Sequence, residues 1–221
     1  MEPGGVSGSV DREKQAAAAA AAALVSDGMV VGLGTGSTVA FLLPALAARG
    51  LSLRCVATSP RTEEAARAAG LSVEPFDELD RFDVAIDGAD QIAPDGWLVK
   101  GGGAAHTREK VVAAAADRFV VVADSSKVVD AIAAPVPVEL LAYGLRATLR
   151  EIGDVAVREG TPPSPDGNVI ADYTGAVGDP SALAARLCAI PGLVEHGLFP
   201  PSMVSDVIVA RGEEVEHRQI P

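Results

Sequence analysis

Three stretches of the 221-residue chain concentrate residue types that can do chemistry. Residues 32–38 are G-L-G-T-G-S-T, residues 87–90 are D-G-A-D, and residues 100–110 are K-G-G-G-A-A-H-T-R-E-K. A glycine-rich turn that opens a helix directs several backbone N–H groups at one point, where an anion can bind. The sequence therefore predicts an anion site with carboxylates and a lysine beside it.

The first stretch suits a sugar phosphate better than a dinucleotide. Thr35, Ser37 and Thr38 add hydroxyl donors to those of the backbone. A dinucleotide loop needs a third glycine where Ser37 stands, and an acidic residue at the end of the second strand, where residues 57–59 are A-T-S. A tight strand–helix turn without a ligand is the alternative interpretation.

The second stretch places two carboxylates, Asp87 and Asp90, on one turn directly after an apolar run. Carboxylates at the end of a strand can orient sugar hydroxyls or transfer protons. One alternative is an Asx-type turn with solvated acids. Another is a magnesium site, but two acids without further ligands favour it little.

The third stretch carries three glycines, Gly101, Gly102 and Gly103, with Lys100 at the edge of the backbone nest that they form. Such a nest and a lysine suit an oxyanion. His106 is expected on the surface of the following helix.

Glu109 in this stretch is the candidate general base. On a helix it shares a face with Ala105, Val112 and Ala113, so its carboxylate points at apolar surroundings. Desolvation raises the pKa of a carboxyl group, and Lys100 nearby lowers it again. We expect Glu109 to be ionised but basic at pH 7. A surface glutamate is the alternative.

The elements that position these stretches alternate between apolar runs and helical patterns, which predicts an α/β fold: a Rossmann-like, doubly wound, mainly parallel sheet. In such sheets ligands bind at the carboxyl ends of the strands.

From residue 135 the order βαββαβ predicts a small ferredoxin-like α+β second domain. Expected boundaries are 11–132 with 202–221 for the Rossmann-like catalytic domain, 133–201 for the small domain and 1–10 for a disordered segment. Pro44 is expected to break or kink the helix at 38–49.

Composition narrows the possible partners. Eighteen Lys and Arg against 30 Asp and Glu give a net charge of −12, which argues against nucleic acid or an anionic membrane as partner. Two cysteines and three histidines without ligand spacing indicate no metal site and no disulfide framework. The apolar run 16–25 is too short to span a bilayer and lacks a positive leader, so we expect a first helix capped by Asp11 and a cytoplasmic protein.

In order and spacing, the motifs G-x-G-T-G-S-T, D-G-A-D and K-G-G-G-A-A-x-T-R-E-K resemble ribose-5-phosphate isomerase of the A type. Residues 135–140, 166–170 and 190–199 are similar to further segments of that family. Gln91 stands where the family usually has an acid, with a possible effect on how Asp90 is held, and His106 replaces a common leucine.

The resemblance implies reversible conversion of ribose 5-phosphate to ribulose 5-phosphate through an enediolate, in the non-oxidative branch of the pentose phosphate pathway. Glu109 is then the base, Lys100 stabilises the oxyanion with help from the glycine N–H groups, Asp87 transfers a proton in ring opening, and Asp90 holds sugar hydroxyls. No metal or organic cofactor is expected. A homo-oligomer, either a dimer or a tetramer, is expected. The residues implied around the phosphate are Thr35, Gly36, Ser37, Thr38, Lys14 and Lys127.

Two other functions compete. A sugar-phosphate-sensing module of a transcription regulator can share this fold, but we expect no DNA-binding segment in the stretch before Asp11. A coenzyme-dependent transferase on a similar sheet is disfavoured because the acidic ribose ligand is missing.

Overall fold

The computed structural model describes residues 5–220. Its helices and strands are, in chain order, α1 Gly5–Ala22, β1 Val30–Leu33, α2 Ser37–Ala47, β2 Arg54–Ala57, α3 Pro60–Ala68, β3 Val84–Gly88, β4 Gln91–Ile92, β5 Leu98–Val99, α4 His106–Ala114, β6 Phe119–Asp124, β7 Val136–Leu140, α5 Leu145–Ile152, β8 Val155–Val157, β9 Val169–Tyr173, α6 Pro180–Cys188, β10 Leu193–His196, β11 Leu198–Phe199, β12 Asp206–Arg211 and β13 Glu214–Gln219.

A six-stranded sheet in the order β13-β12-β6-β3-β1-β2 forms the larger layer, and only its β12–β13 pair is antiparallel. Its central strands are fully buried because helices cover both faces. The α1 helix packs Ala17, Ala18 and Ala21 into one core with α2, and Val112 of α4 belongs to the core on the other side. The prediction of a mainly parallel α/β sheet is confirmed.

A second, antiparallel sheet has the order β10-β7-β9-β8, with α5 and α6 in the connections. Alternate residues of β7 (Val136, Val138 and Leu140) share a core with Ile152 and Leu187 of these helices. The predicted βαββαβ unit is therefore present. A short three-stranded sheet, β11-β5-β4, joins it to the larger layer, because β11 follows β10 and pairs with the strand that precedes Lys100.

Two local expectations differ from the structure. Residues 5–10, expected to be disordered, are the first turns of α1, and Asp11 lies inside that helix instead of capping it; the rest of the segment, residues 1–4, lies outside the described residues. The alanine run propagates a helix at little cost through Gly and Ser. Pro44 does not end α2, which continues to Ala47. No helix within residues 5–220 is both long and apolar enough to cross a membrane.

Candidate active site

The three predicted stretches meet at the carboxyl edge of the parallel sheet, around a cleft of about 450 Å³. Asp87 and Lys14 are not among the residues that line it. The predicted site residues that line the cleft are Thr35, Gly36, Ser37, Thr38, Asp90, Lys100, Gly101, Gly102, Gly103, Glu109 and Lys127.

One buried lysine is shared by two buried carboxylates at the bottom of the cleft. Lys100 Nζ lies 2.8 Å from Asp87 Oδ2 and 3.0 Å from Glu109 Oε2, and it donates to the carbonyl of Gly88 at 2.6 Å. All three charged residues are at most 3% exposed. With both carboxylates ionised, a single ammonium leaves one negative charge uncompensated in a site shielded from water.

Burial and this surplus charge make Glu109 basic. Burial first, and then the charge of Asp87, raise the pKa of Glu109 to about 8 against the opposing effect of Lys100. Burial also raises the pKa of Asp87, whereas the two carboxylates beside Lys100 keep the pKa of that lysine high despite burial. The burial expected for Glu109 is observed, and Asp87, which the helical pattern could not place beside it, adds to the effect of burial on its carboxyl group.

The first loop holds Asp87 in place. The N–H groups of Thr35 and Gly88 donate to Asp87 Oδ1 at 3.0 and 2.7 Å, respectively. A Cβ atom on Gly34 would overlap the Asp87 carboxylate, so the second glycine of G-L-G allows this close approach. Both oxygens of Asp87 thus accept hydrogen bonds, one from Lys100 and the other from the backbone, and the carboxylate lies behind the residues that line the cleft.

The third loop is organised by Asp90, whose Oδ2 accepts the N–H of Gly102 at 2.7 Å. Gly101 has φ +109° and Ala104 has φ 61°, a region that residues with a side chain rarely adopt. A Cβ on Gly102 would lie 2.7 Å from Asp90 Oδ1. The loop therefore depends on its glycines to approach both Asp90 and the cleft.

The other end of the cleft is the N-terminus of α2, where Ser37 and Thr38 follow Gly36, which has φ +137°. The first N–H groups of a helix lack intrahelical partners and attract anions. The Thr35 hydroxyl is 2.9 Å from both Thr58 Oγ1 and Ser59 Oγ, so it anchors the loop and is not a free donor.

Of the two lysines predicted to bind the phosphate, Lys127 lines the cleft. Lys14 belongs to α1, and its Nζ lies 4.0 Å from Asp11 Oδ1. Glu13 joins the two regions, because its carboxylate accepts the N–H and hydroxyl of Ser125, which begins the turn that carries Lys127.

Known proteins match this chain over most of its length. The family model of ribose 5-phosphate isomerase A (phosphoriboisomerase A) matches residues 54–214. A ribose-5-phosphate isomerase A from Halobacterium salinarum is 49% identical over 205 residues, which cover 87% of this chain and 89% of that relative. The chain belongs to the ribose-5-phosphate isomerase A family. This match confirms the resemblance found in the sequence and the prediction that the protein is an isomerase.

Solved structures of this family have the same architecture. Ribose 5-phosphate isomerase A from Methanocaldococcus jannaschii is 33% identical with a TM-score of 0.89, over 95% of this chain and 99% of that chain. A D-ribose-5-phosphate isomerase in complex with phospho-erythronic acid is 34% identical, also with a TM-score of 0.89, over 95% of this chain and 99% of that chain.

The two departures from the ribose-5-phosphate isomerase A pattern lie outside the cleft lining. The side-chain amide of Gln91 donates a hydrogen bond to the carbonyl of Ala133 at 2.7 Å and accepts one from the N–H of Ala133 at 2.9 Å. An ionised acid has no donor and cannot make both hydrogen bonds. His106, expected on the surface, is fully buried because its helix face packs on the small sheet. It lies 3.3 Å from the carbonyl of Glu195, and burial lowers its pKa to about 4.

One group within the described residues has the side-chain types of a metal site: the ligand atoms of Cys188, Glu195 and His196 lie within 4.8 Å of one another. Lys110 Nζ donates to Glu195 Oε1 at 2.7 Å and is 3.3 Å from His196 Nδ1. An ammonium group therefore already neutralises this cluster. Sequence spacing missed it because its members lie on two elements, Cys188 at the end of α6 and Glu195 and His196 on β10.

Proposed function

We propose that this protein interconverts ribose 5-phosphate and ribulose 5-phosphate through an enediolate, with Glu109 as the base. The observation that carries the proposal is the buried Glu109–Lys100–Asp87 group, set in one cleft with an anion-binding helix N-terminus. Family membership supports the reaction class, and a sugar phosphate is the anion that the cleft suits.

The phosphate is proposed to bind where α2 begins. Ser37 and Thr38 offer hydroxyls and N–H groups, Gly36 exposes backbone, and Lys127 supplies the positive charge that a protein of net charge −12 must provide locally. Lys14 is proposed to join this site when the anion is bound.

The proton transfer follows from the position of Glu109. Ionised Glu109 takes the proton from C2 of the open-chain aldose, the C2–H electrons form the C1–C2 double bond, and the C1 oxygen becomes an oxyanion. The carboxylic acid then returns the proton to C1, and the C2 hydroxyl proton passes by way of Lys100 to the C1 oxyanion, so that C2 becomes the ketone and C1 carries the hydroxyl. Lys100, with the N–H of Gly103, stabilises the oxyanion.

Ring opening needs a proton delivered to the ring oxygen and one removed from the C1 hydroxyl. Asp87 does not line the cleft, so we propose that it acts through Lys100, whose side chain does. Asp90, which lines the cleft, orients sugar hydroxyls. No step requires a metal or an organic cofactor.

An isomerase assay with purified protein tests the proposal. We expect ribulose 5-phosphate to form from ribose 5-phosphate at the same rate with and without a chelator. Ribose without phosphate should be a poor substrate because it lacks the remote binding group that orients the reacting carbons. Equal turnover of ribose and its phosphate, or loss of activity on chelation that a metal restores, would contradict this mechanism.

The phosphate site has its own test. Replacing Ser37 and Lys127 together by Ala should raise KM for ribose 5-phosphate by about 100-fold or more, since two hydrogen bonds to a charged group are lost and each is worth about 1.5–3 kcal/mol. The thermal unfolding midpoint should stay close to that of the wild type, because both residues face the cleft. An unchanged KM would assign this loop another role.

We also propose a cytoplasmic location and a homo-oligomer, either a dimer or a tetramer. The proposed substrates are charged sugar phosphates, which do not cross a lipid bilayer unaided. Light scattering on the purified protein measures the oligomeric state, and fractionation of cells measures the location.

A further inference from the structure

An arginine of the small sheet reaches across to the glycine loop of the cleft. Arg158 follows β8, and its Nη1 donates to the carbonyls of Gly101 at 2.9 Å and Gly102 at 3.3 Å. Its Nε and Nη2 donate to the two oxygens of Asp172 on β9, both at 2.7 Å. The carboxylate of Asp172 therefore binds the guanidinium bidentately, while Nη1 binds the two carbonyls of the glycine loop.

Fixing these two carbonyls fixes where the neighbouring N–H groups point. In a trans peptide the C=O and the following N–H point in opposite directions. With its carbonyls turned to Arg158, the loop turns the N–H of Gly102 away from Arg158, where it donates to Asp90 Oδ2 at 2.7 Å. By the same geometry the N–H of Gly103 points away from Arg158, and Gly103 lines the cleft.

The loop needs such an external anchor. Gly101, Gly102 and Gly103 have no side chains to pack, and glycine has the greatest backbone freedom of any residue. Within the loop the N–H of Ala104 also donates to the carbonyl of Gly101, at 3.1 Å. Arg158 adds a charged donor to that carbonyl and reaches the next one.

We propose that Arg158, oriented by Asp172, is a positioning residue for the isomerisation: it aims the N–H of Gly103 at the reacting end of the sugar and, through the N–H of Gly102, holds Asp90 there. The inference rests on the proposed function. It means that an arginine of the small sheet positions a cleft loop that follows β5 of the short sheet.

The test compares Arg158→Lys with the wild type. Lysine keeps the charge but cannot form the fork and hold two carbonyls together. We expect kcat to fall about 10- to 100-fold, because misplacing oxyanion donors by a fraction of an ångström has effects of this size. Affinity for phospho-erythronic acid should fall similarly, whereas inhibition by inorganic phosphate, which needs only the other end of the cleft, should not change. Asp172→Asn should give a smaller loss of the same kind.

Arg186→Lys is the matched control, since Arg186 also donates to a carbonyl of the small unit, that of Ile152 at 3.3 Å, and is not part of the cleft. It should keep wild-type kinetics. Added guanidinium should restore part of the turnover of Arg158→Ala, which a mere loss of stability would not allow.

Wild-type kcat and analogue affinity in both Arg158→Lys and Asp172→Asn would overturn the inference. So would an equal loss of analogue and inorganic phosphate affinity, which would indicate general loosening of the cleft. If Arg158→Lys fails to fold, Asp172→Asn decides alone. A wild-type protein that neither isomerises ribose 5-phosphate nor binds the analogue would overturn the proposed function itself.

Discussion

Two lysines, the buried Lys100 and the partly buried Lys110, lie beside the same phenylalanine ring but have different charged partners. Lys100 Nζ lies 5.4 Å and Lys110 Nζ 4.9 Å from the ring centroid of Phe199. Lys100 faces two carboxylates, Asp87 and Glu109. Lys110 is paired with Glu195 alone and donates to the carbonyl of His196.

The pKa shifts follow from this difference in charge. Burial lowers the pKa of Lys110 because one carboxylate does not compensate for desolvation, whereas the pKa of Lys100 is raised by two. The pKa of Glu195 is lowered, since Lys110 and the N–H of His196 outweigh its partial burial. The pKa of Glu109 rises to about 8. The balanced pair of Lys110 and Glu195 thus keeps the pKa of its carboxyl group low, whereas a second buried carboxylate beside Lys100 adds to the raised pKa of Glu109.

The largest effect should come from the two glutamates. Glu109→Gln keeps the size of the side chain but removes the base, so turnover should fall by about 10²–10⁴-fold with a much smaller change in KM. Exchange of the C2 proton with deuterated solvent should fall in parallel. Glu195→Gln, the matched control, should keep wild-type turnover. Near-full turnover and exchange in Glu109→Gln would move the base to Asp87.

The lysines should separate in the same way. Lys100→Met removes the oxyanion partner and leaves two carboxylates without a cation, so we expect kcat to fall by about 10²-fold or more. Lys110→Met should leave kcat unchanged. Equal losses of kcat in two variants that have the same thermal unfolding midpoint would show that both clusters serve only the fold.

The pH dependence distinguishes a raised from an ordinary carboxyl group. The base form of Glu109 increases up to its pKa of about 8, so kcat/KM should rise about tenfold per pH unit below that value and then level off. A plateau reached already at pH 6 would contradict the charge imbalance at Lys100.

The same shift affects stability with a definite sign. Between pH 4.5, its usual pKa, and about 8, Glu109 binds more proton in the folded than in the unfolded protein, so its contribution to the free energy of unfolding falls as pH rises through this range. Urea unfolding should show a smaller fall in Glu109→Gln than in the wild type. An identical pH profile in the two proteins would argue against the raised pKa.

The smallest effect is expected from the balanced pair. Glu195→Gln leaves Lys110 without its carboxylate, and the free energy of unfolding should fall by about 2 kcal/mol while activity persists. Urea titration at pH 7 measures the fall. A loss of turnover at unchanged stability would mean that this cluster, too, belongs to the chemistry.

The sequence by itself determined the architecture and the location of the site. Alternating strand and helix patterns specify a mainly parallel sheet, and the carboxyl ends of parallel strands meet at one edge, so the stretches after β1 and β3 had to converge there. The third stretch follows β5 of the short antiparallel sheet, so its place beside the other two came from the tertiary structure. The burial of Glu109 was also predictable, because the helical period places it on the face of Val112 and Ala113.

Only the tertiary structure decided the electrostatics of the site. The pKa of Glu109 depends in part on Asp87, which lies 22 positions earlier in the chain, and the carbonyls of Gly101 and Gly102 accept hydrogen bonds from Arg158, which a local pattern cannot connect to them. His106 is buried where α4 packs on the small sheet. The packing of α1 decides that Lys14 lies near Asp11 and not in the lining of the cleft. Periodicity is a local property that a sequence displays, whereas the field and the hydrogen bonds at an atom depend on every group that folding brings near it.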